Sequence, residues 1–427
     1  MTEIARVQKA FIDAWPICMD KFTAARTDWE EAVDAEALGI EADVVDVRRR
    51  LHMEPEPSGE EFGSVETLRS RFETAGVNCR VVPARNGLLV DGPHAVEGVS
   101  RIAFRADLDA LRLHDGKTVA YRSRRDGVMH ACGHDAHTAI AAGVVLLLQR
   151  LDRQGALPWP VAWRAIFQPS EETASGAVEM MEQGALEDVS KVFALHVDPS
   201  RRVGTVGVRD GALTASCDEL LIRATGRGGH AARPHESQDP IAASAQLLMA
   251  IYSLIPRSVD SQNPVVVTIG RVHGGYTANV IPQHVEMEGT LRTLDSKVRE
   301  AAKQKLRRLT RGISEASDVT LEIFFERGMG AVVNDSGSNA ILREAAQRTV
   351  GPQNVEEIPR PSMGGEDFAA YLEKVPGAMF RLGIASGDAP ASPLHSPLFD
   401  IDERALALGV RIMARAVILA ARPPCQD

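Results

Sequence analysis

The feature that most constrains the fold is an alternation of apolar runs with helical patterns between about residues 99 and 199. VSRIAFRADLDAL (99–111), VAWRAIFQPSEE (161–172) and VSKVFALHVDP (189–199) have the composition of buried strands. TAIAAGVVLLLQ (138–149) and TASGAVEMMEQGA (173–185), which separate them, have the composition of helices. Strands that alternate with helices predict an α/β fold, with a mostly parallel sheet that carries helices on both faces.

The pattern changes near residue 213, where strand and helix patterns follow one another in the order β-α-β-β-α-β. This is the order of a ferredoxin-like α+β unit, which folds as a domain of its own. We therefore predict a larger α/β domain built from residues 1–212 and 328–427, and a smaller inserted domain at 213–327. Residues 1–45 have helical spacing and are predicted to form an extra N-terminal helical extension.

The segment HACGHDAH (130–137) concentrates possible metal ligands directly before a predicted helix. Cys132 and His134 are separated by one glycine, which lets the chain turn so that both side chains face one point. Thiolate and imidazole are usual ligands of zinc-type ions. His137 is expected to support or cap rather than to bind, and the role of His130 stays open.

Carboxylates and further histidines lie at or just past the carboxyl ends of the predicted strands, at the sheet edge where α/β proteins bind ligands. Asp107, Asp109, Glu171, Glu172 and His196 lie there, and a later LHS segment adds His395. Of two adjacent glutamates, one can bind a metal while the other takes a proton from water. Closed structural zinc sites are usually built from Cys and His alone, so the mixture with carboxylate favours catalysis.

Other chemistries fit the sequence less well. It contains no G-x-S-x-G and no H-E-x-x-H, and GRGGHA (226–231) lacks the helix and the acidic residue of a dinucleotide site. A cysteine nucleophile at Cys132 is an alternative, but it leaves the glutamates and the other histidines without a role.

Charge and cysteine usage limit the partners. The net charge is −10 and no dense basic block occurs, which argues against nucleic acid and anionic membranes. We find neither a secretory signal nor an apolar stretch long enough to span a bilayer. Five scattered cysteines in a chain of 427 residues resemble reduced thiols, so we expect a cytoplasmic protein.

Many ordered motifs together resemble the metal-dependent amidohydrolases that include hippurate hydrolase, auxin–amino acid conjugate hydrolases and N-acyl amino acid deacylases, a branch of the aminoacylase and dimetal carboxypeptidase group. The resemblance runs from about residue 48 to the C-terminal helix. The motifs that carry it are RADLDAL (105–111), GVMHACGHDAHTA (127–139), FQPSEE (167–172), ALHVDP (194–199), GRGGHAARPH (226–235), GGYTANVIPQ (274–283), EGTLRT (288–293), MGGEDF (363–368) and LHSPLFDIDERAL (394–406).

The resemblance implies a role for each candidate residue and makes 213–327 a lid and dimerisation domain. It implies one or two divalent ions per subunit (Zn, Mn, Co or Ni) and hydrolysis of small N-acyl amino acids or related amides. The metal ligands would be Cys132, His134, Glu172, His196 and His395; Glu171 would be the general base; Asp109 would orient a ligand; His230 would support the oxyanion; Asn279 and Arg292 would contact the substrate.

Two further expectations come from the same resemblance. In dimeric relatives the residue that corresponds to His230 comes from the partner subunit, so we expect a homodimer or a higher homo-oligomer. The alternative from another class is a non-catalytic metal-binding scaffold on a hydrolase fold, because a fold alone does not guarantee activity.

Overall fold

A computed structural model describes residues 28–82, 87–387 and 391–423. Its helices are α1 (Asp28–Met53), α2 (Phe62–Thr74), α3 (His134–Arg153), α4 (Gly176–Glu182), α5 (Pro240–Leu254), α6 (Ser296–Ser317), α7 (Ser336–Val350), α8 (Ala369–Leu372) and α9 (Arg404–Ala420). Its strands are β1 (Cys79–Val82), β2 (Gly87–Asp91), β3 (Arg101–Asp107), β4 (Trp163–Gln168), β5 (Val189–Arg202), β6 (Val206–Val208), β7 (Gly211–Ala212), β8 (Ser216–Thr225), β9 (Gly229–His230), β10 (Val265–Gly274), β11 (Val280–Ile281), β12 (His284–Thr293), β13 (Thr320–Met329), β14 (Val333–Asn334), β15 (Val355–Glu357) and β16 (Gly377–Ala385).

The larger sheet has eight strands in the order β1-β2-β4-β3-β5-β16-β6-β15. Its centre is parallel, since β3 pairs in parallel with both β4 and β5, and β5 pairs in parallel with β16. The carboxyl ends of these central strands therefore meet at one edge of the sheet. The predicted α/β fold with a mostly parallel sheet is confirmed.

Helices cover both faces of this sheet because its central strands are apolar on both sides. In β3, Phe104 packs into the core shared with α1, α3 and α9, whereas Ala103 packs into a second core with residues of α4 and α8. Consecutive residues of a strand point to opposite faces. Every residue of β3 is buried, including Arg105 and Asp107 on the face of Ala103, so neither face of the strand is presented to water.

The helix α1 forms a layer of the larger domain. It is continuous from Asp28 to Met53, and its buried face, which includes Trp29, Val33 and Ile40, packs into the main core. The predicted extension (1–45) therefore divides into two parts. Residues 28–45 belong to this core layer, and residues 1–27 lie outside the described residues.

The smaller sheet is antiparallel and has the order β10-β12-β8-β13, with α5 and α6 packed into its apolar core. The ferredoxin-like order of strands and helices was predicted from the sequence. This sheet runs from Ser216 to Met329, so its last strand continues two residues past the predicted limit at 327. The division into 1–212, 213–327 and 328–427 itself remains our proposal.

None of the helices in the described part of the chain combines the length and the apolar composition that crossing a bilayer requires.

Candidate metal centre

A left-handed turn at Gly133 places Cys132 and His134. Gly133 has φ +89° and is the N-cap of α3, which begins at His134. A Cβ atom at this position would lie 2.4 Å from Cγ2 of Val197 on β5. Glycine therefore satisfies both the backbone conformation and the close approach to the neighbouring strand. The turn that we inferred from the Cys-Gly-His spacing is present.

The five predicted ligands come together at the carboxyl edge of the sheet. The Cys132 Sγ lies 3.6 Å from His196 Nε2, and Glu172 Oε1 lies 3.5 Å from His395 Nε2. His134 Nε2 lies 3.9 Å from a carboxylate oxygen of Glu171 and of Glu172. These side chains form three overlapping groups of possible metal ligands, and within each group the ligand atoms lie within 4.8 Å of one another. The first group is Cys132, His134 and His196. The second is Cys132, Glu172 and His395, and the third is His134, Glu171 and Glu172.

Backbone carbonyl groups fix the orientation of two of these histidines. His134 Nδ1 lies 2.8 Å from the Asp109 carbonyl oxygen, and His196 Nδ1 lies 2.8 Å from that of Val197. A carbonyl oxygen only accepts, so both Nδ1 atoms carry the hydrogen and donate it. Each ring then turns the lone pair of Nε2 toward the cluster, which is the arrangement of a histidine that binds a metal.

His137 supports this cluster, since both of its ring nitrogens are already bonded. Its Nε2 accepts the Val197 backbone N–H at 3.0 Å, so its Nδ1 donates to Asp107 Oδ1 at 2.7 Å. His130 is buried, and neither of its ring nitrogens has a hydrogen-bond partner among the described residues. Burial lowers the pKa of His130 to about 4, so this ring packs in its neutral form.

The chemistry of the cluster fits a divalent cation. His134 Nε2 and Glu172 Oε1 are buried atoms without a hydrogen-bond partner among the described residues, although each can accept a bond. Burial raises the pKa of the Cys132 thiol, so a nearby cation is needed to hold it as a thiolate. Sulfur, nitrogen and carboxylate oxygen are the donors that zinc-type ions bind, and buried donors left unpaired are costly.

Glu171 is buried beside the cluster with other acids around it. Burial, followed by the charges of Glu366 and Asp367, raises its pKa well above that of an ordinary glutamate. The Asp367 backbone N–H lies 3.4 Å from Glu171 Oε1. A carboxylate with a raised pKa is suited to accepting a proton near neutral pH, and a bound cation would moderate that rise.

The acids near Glu171 depend on a buried arginine that sequence reasoning missed as part of the site. Arg105 donates to Asp107 Oδ2 at 2.6 Å and to Asp367 Oδ1 at 2.7 Å, and it lies 3.2 Å from Glu366. Its position offered one signal, because Arg105 and Asp107 are two residues apart on a buried strand and thus face the same side. The partners at 366 and 367, which lie in the MGGEDF motif, could not be paired with it from spacing.

One local prediction was wrong, because β5 does not end at Pro199. It continues to Arg202, so His196 lies within the strand instead of at its end. The β5–β16 register shifts between Gly383 and Ala385, beside this proline. Such an irregularity accommodates a residue that has no N–H to give to the ladder.

The cluster lies at one end of a cavity of 520 Å³, and the smaller domain lines the other end. Arg292 lines this cavity, and its Nη1 donates to the Met363 carbonyl oxygen at 2.8 Å. His230 and Asn279 are exposed, and they lie close to one another through the β9–β11 pair. Neither of them lines the cavity that contains Cys132.

Proteins of known sequence resemble this chain over most of its length. The chain is 37% identical over 378 residues to the N-acetyl-L-cysteine deacetylase of Bacillus subtilis, and the aligned residues make up 88% of each of the two proteins. It is 34% identical over 394 residues to thermostable carboxypeptidase 2 of Saccharolobus solfataricus, across 90% of this chain and 96% of that protein. Both names describe hydrolysis of amide or peptide bonds.

A solved structure and a family model extend this likeness. The solved structure of the Bacillus subtilis YxeP protein, described as a dinuclear metal-binding peptidase, superposes on this structure with a TM-score of 0.76 and 33% sequence identity. The superposition covers 90% of this chain and 99% of the YxeP chain. The model of peptidase family M20/M25/M40 matches residues 103–419. The matched range contains the whole cluster from Cys132 to His395, and the chain is a hydrolase that belongs to peptidase family M20/M25/M40.

Proposed function

We propose that the protein hydrolyses the amide bond of N-acyl amino acids or related small amides and dipeptides, with Glu171 as general base. The observation that carries the proposal is a buried carboxylate with a raised pKa beside five donors that fit a cation. The likeness to the N-acetyl-L-cysteine deacetylase of Bacillus subtilis supports this class of substrate. Cys132, His134, Glu172, His196 and His395 would hold one or two divalent ions.

A bound cation would polarise the substrate carbonyl and acidify the attacking water. Glu171 takes the proton of that water at Oε2, the oxygen that faces His134, while Oε1 is held near the Asp367 N–H. Glu171 then passes the proton to the departing nitrogen. Asp109 positions the ligands, because its Oδ1 lies 3.3 Å from His134 Nδ1 and its Oδ2 accepts the Glu172 backbone N–H at 3.0 Å.

The resemblance implies Zn, Mn, Co or Ni, and the donor set is compatible with each of these ions. A thiolate favours the softer ions of this group, whereas carboxylates also suit Mn. Metal removal by a chelator, followed by addition of each ion, should abolish and then restore hydrolysis of an N-acyl amino acid panel. A protein that binds metal but hydrolyses nothing with any of the four ions would instead be a scaffold.

The base is tested by Glu171→Gln, which keeps the shape of the side chain but cannot take a proton. We expect turnover to fall by about 100- to 10,000-fold, with metal content unchanged by elemental analysis. Glu182→Gln, on the exposed surface of α4, is the matched control and should keep full turnover. Near-normal turnover of Glu171→Gln at full metal content would contradict the assignment.

The cysteine-nucleophile alternative predicts activity that survives chelation but is lost on thiol alkylation. The structure disfavours it, because burial raises the pKa of Cys132 and a nucleophilic cysteine needs a lowered one.

We also propose a homodimer in which His230 acts on the site of the partner. The smaller domain exposes apolar side chains on α5 and on its edge strand β10, and a second copy could cover them. Met249 is 72% exposed and Val272 is 54% exposed. Mixed dimers of His230→Ala and Glu171→Gln would contain one intact site and should regain activity on subunit exchange. A fully active monomer in light scattering would refute action from the partner.

The remaining proposals concern compartment and partners. The cysteines described by the structure, Cys79, Cys132 and Cys217, are unpaired, which suits a reducing cytoplasm. The acidic surface leaves a small amide as the partner that we propose, with no role for nucleic acid or membrane.

A further inference from the structure

Two fully buried arginines in this protein are bonded to carboxylates. Arg48 contacts Asp135 and Asp400, and Arg105 contacts Asp107 and Asp367. These pairs follow a general rule, because a guanidinium taken out of water is stable only with anionic partners.

Arg381 departs from this rule. It lies partly buried on β16 in the wall of the cavity. Its side chain makes no hydrogen bond or ion pair with any residue that the structure describes. Burial lowers its pKa, although an arginine remains charged at any working pH. The charges of Glu366 and Asp198 act on Arg381 without a bond to it, so its donors remain available at a place that a ligand can reach.

The position of Arg381 ties it to the reaction centre. It is the Cα partner of His196 across the parallel β5–β16 pair, so both side chains project from the same face of the sheet. An anionic group of a ligand bound to Arg381 would therefore lie on the side of the sheet that carries His196.

A second guanidinium approaches the cavity from the other wall. Arg292 lies on β12 of the smaller domain, and within the described part of the chain its side chain makes one hydrogen bond, from Nη1 to the Met363 carbonyl oxygen, so further donors remain for a ligand. Arg327 also lines the cavity, but it is exposed and sits at a β-bulge between Phe325 and Gly328, where water screens its charge. Two guanidinium groups, one from each sheet, thus line the cavity that also contains Cys132.

We infer that the preferred substrates carry a second acidic group in addition to the α-carboxylate, and that Arg381 binds it. This inference rests on the proposed function, and it takes Arg292, which the resemblance implies as a substrate contact, as the group that receives the α-carboxylate. Arg381 would be a specificity-determining residue, because a buried cation rejects the neutral analogue that leaves it unpaired. The second acid can lie in the amino acid side chain or in the acyl group, and the chemistry that Arg381 recognises is the same.

Matched pairs of substrates separate these two placements. N-acetyl-L-glutamate against N-acetyl-L-glutamine tests an acidic side chain, and N-succinyl-L-alanine against N-butyryl-L-alanine tests an acidic acyl group. With the metal-loaded enzyme we expect kcat/KM to favour the acidic member of at least one pair by about 10- to 100-fold, the range of a lost charged hydrogen bond. Equal rates within both pairs would overturn the inference.

Substitutions then locate the preference at Arg381. Arg381→Gln should reduce kcat/KM for the acidic member of the preferred pair and leave the neutral member within about twofold, while Arg381→Lys retains part of the preference. Arg404→Gln, on the exposed surface, is the matched control. A loss of equal size on both members would mean that Arg381 serves the α-carboxylate or the reacting carbonyl, and would refute the second-acid assignment.

Binding measurements keep this inference separate from the proposed function. Calorimetry of the metal-loaded protein should show tighter binding of L-glutamate than of L-glutamine, or of succinate than of butyrate, and Arg381→Gln should abolish the difference. If no substrate is hydrolysed but this difference is present, the proposed function fails and the anion site stands. If hydrolysis proceeds without any such difference, the anion site fails and the proposed function stands.

Discussion

Replacement of Gly133 by alanine should damage the metal centre without touching a ligand. Gly133 has φ +89°, a region that costs an alanine about 1–2 kcal/mol. The added Cβ would also meet Val197 Cγ2 at 2.4 Å. Overpacking of this kind costs about 1–3 kcal/mol. Together these effects predict a loss of about 2–5 kcal/mol in the free energy of unfolding.

The other end of the same helix offers a control that separates the two costs. Gly155, just beyond α3, has φ +64°, but a Cβ atom there would meet nothing within 4 Å. Gly155→Ala should therefore show only the backbone cost of about 1–2 kcal/mol. The double variant Gly133→Ala with Val197→Ala removes the methyl group that clashes, so it should recover part of the loss that Gly133→Ala causes.

Urea denaturation of the metal-free proteins measures the stability, and competition with a chelating dye measures the metal affinity. We expect Gly133→Ala to weaken metal binding, because the turn at this residue sets the angle between Cys132 and His134. Gly155→Ala should bind metal normally. The reasoning would be refuted if Gly133→Ala were no less stable than Gly155→Ala and bound metal with unchanged affinity.

Three further predictions concern buried groups. Asp107→Asn should lower the free energy of unfolding by about 3–5 kcal/mol in urea, because it removes a charge that Arg105 needs; a loss below about 1 kcal/mol would contradict this role. Burial raises the pKa of Glu61 to about 7, so its ionisation lowers the free energy of unfolding of the protein as pH rises from about 4.5 to 7. Glu61→Gln does not ionise and should therefore gain stability relative to the wild type between about pH 5 and pH 8. An equal dependence of stability on pH in the two proteins, measured with urea, would count against it. Trp29→Ala should cost about 3–5 kcal/mol if α1 is a core layer, and a cost near zero would show that α1 is an appendage.

The sequence predicted the parts of the fold that depend on local patterns. The strands around Phe104 and Ile166 are apolar at most of their positions, and turn residues bound them, so their type and order could be deduced. The start of α3 could not be placed as well. Its apolar run suggested residue 138, whereas the left-handed Gly133 lets the helix begin at His134.

The candidate site was predictable where it depends on residue type and order, and much less so where it depends on distant contacts. Cys132, His134 and Glu172 stand in recognisable motifs, so their types and order were enough to group them. The bond of Arg105 to Asp367 joins residues 262 positions apart, and no local pattern encodes such a pair. Arg381 was missed for a related reason, since only the sheet register shows that it lies beside His196.

The position of β16 between β5 and β6 in the sheet affects how the chain folds during translation. A ribosome releases β5 early, but the strand that pairs with its outer side follows only after the whole inserted unit and α7 have been translated. Until Gly377–Ala385 leaves the exit tunnel, β5 presents an apolar edge that can recruit other chains. A nascent chain truncated before this strand is thus expected to aggregate or to occupy chaperones, even though four of the five donors are already synthesised. The last stretch of translation completes the sheet and adds His395. We therefore expect that an incomplete chain does not persist as a stable, partly formed enzyme.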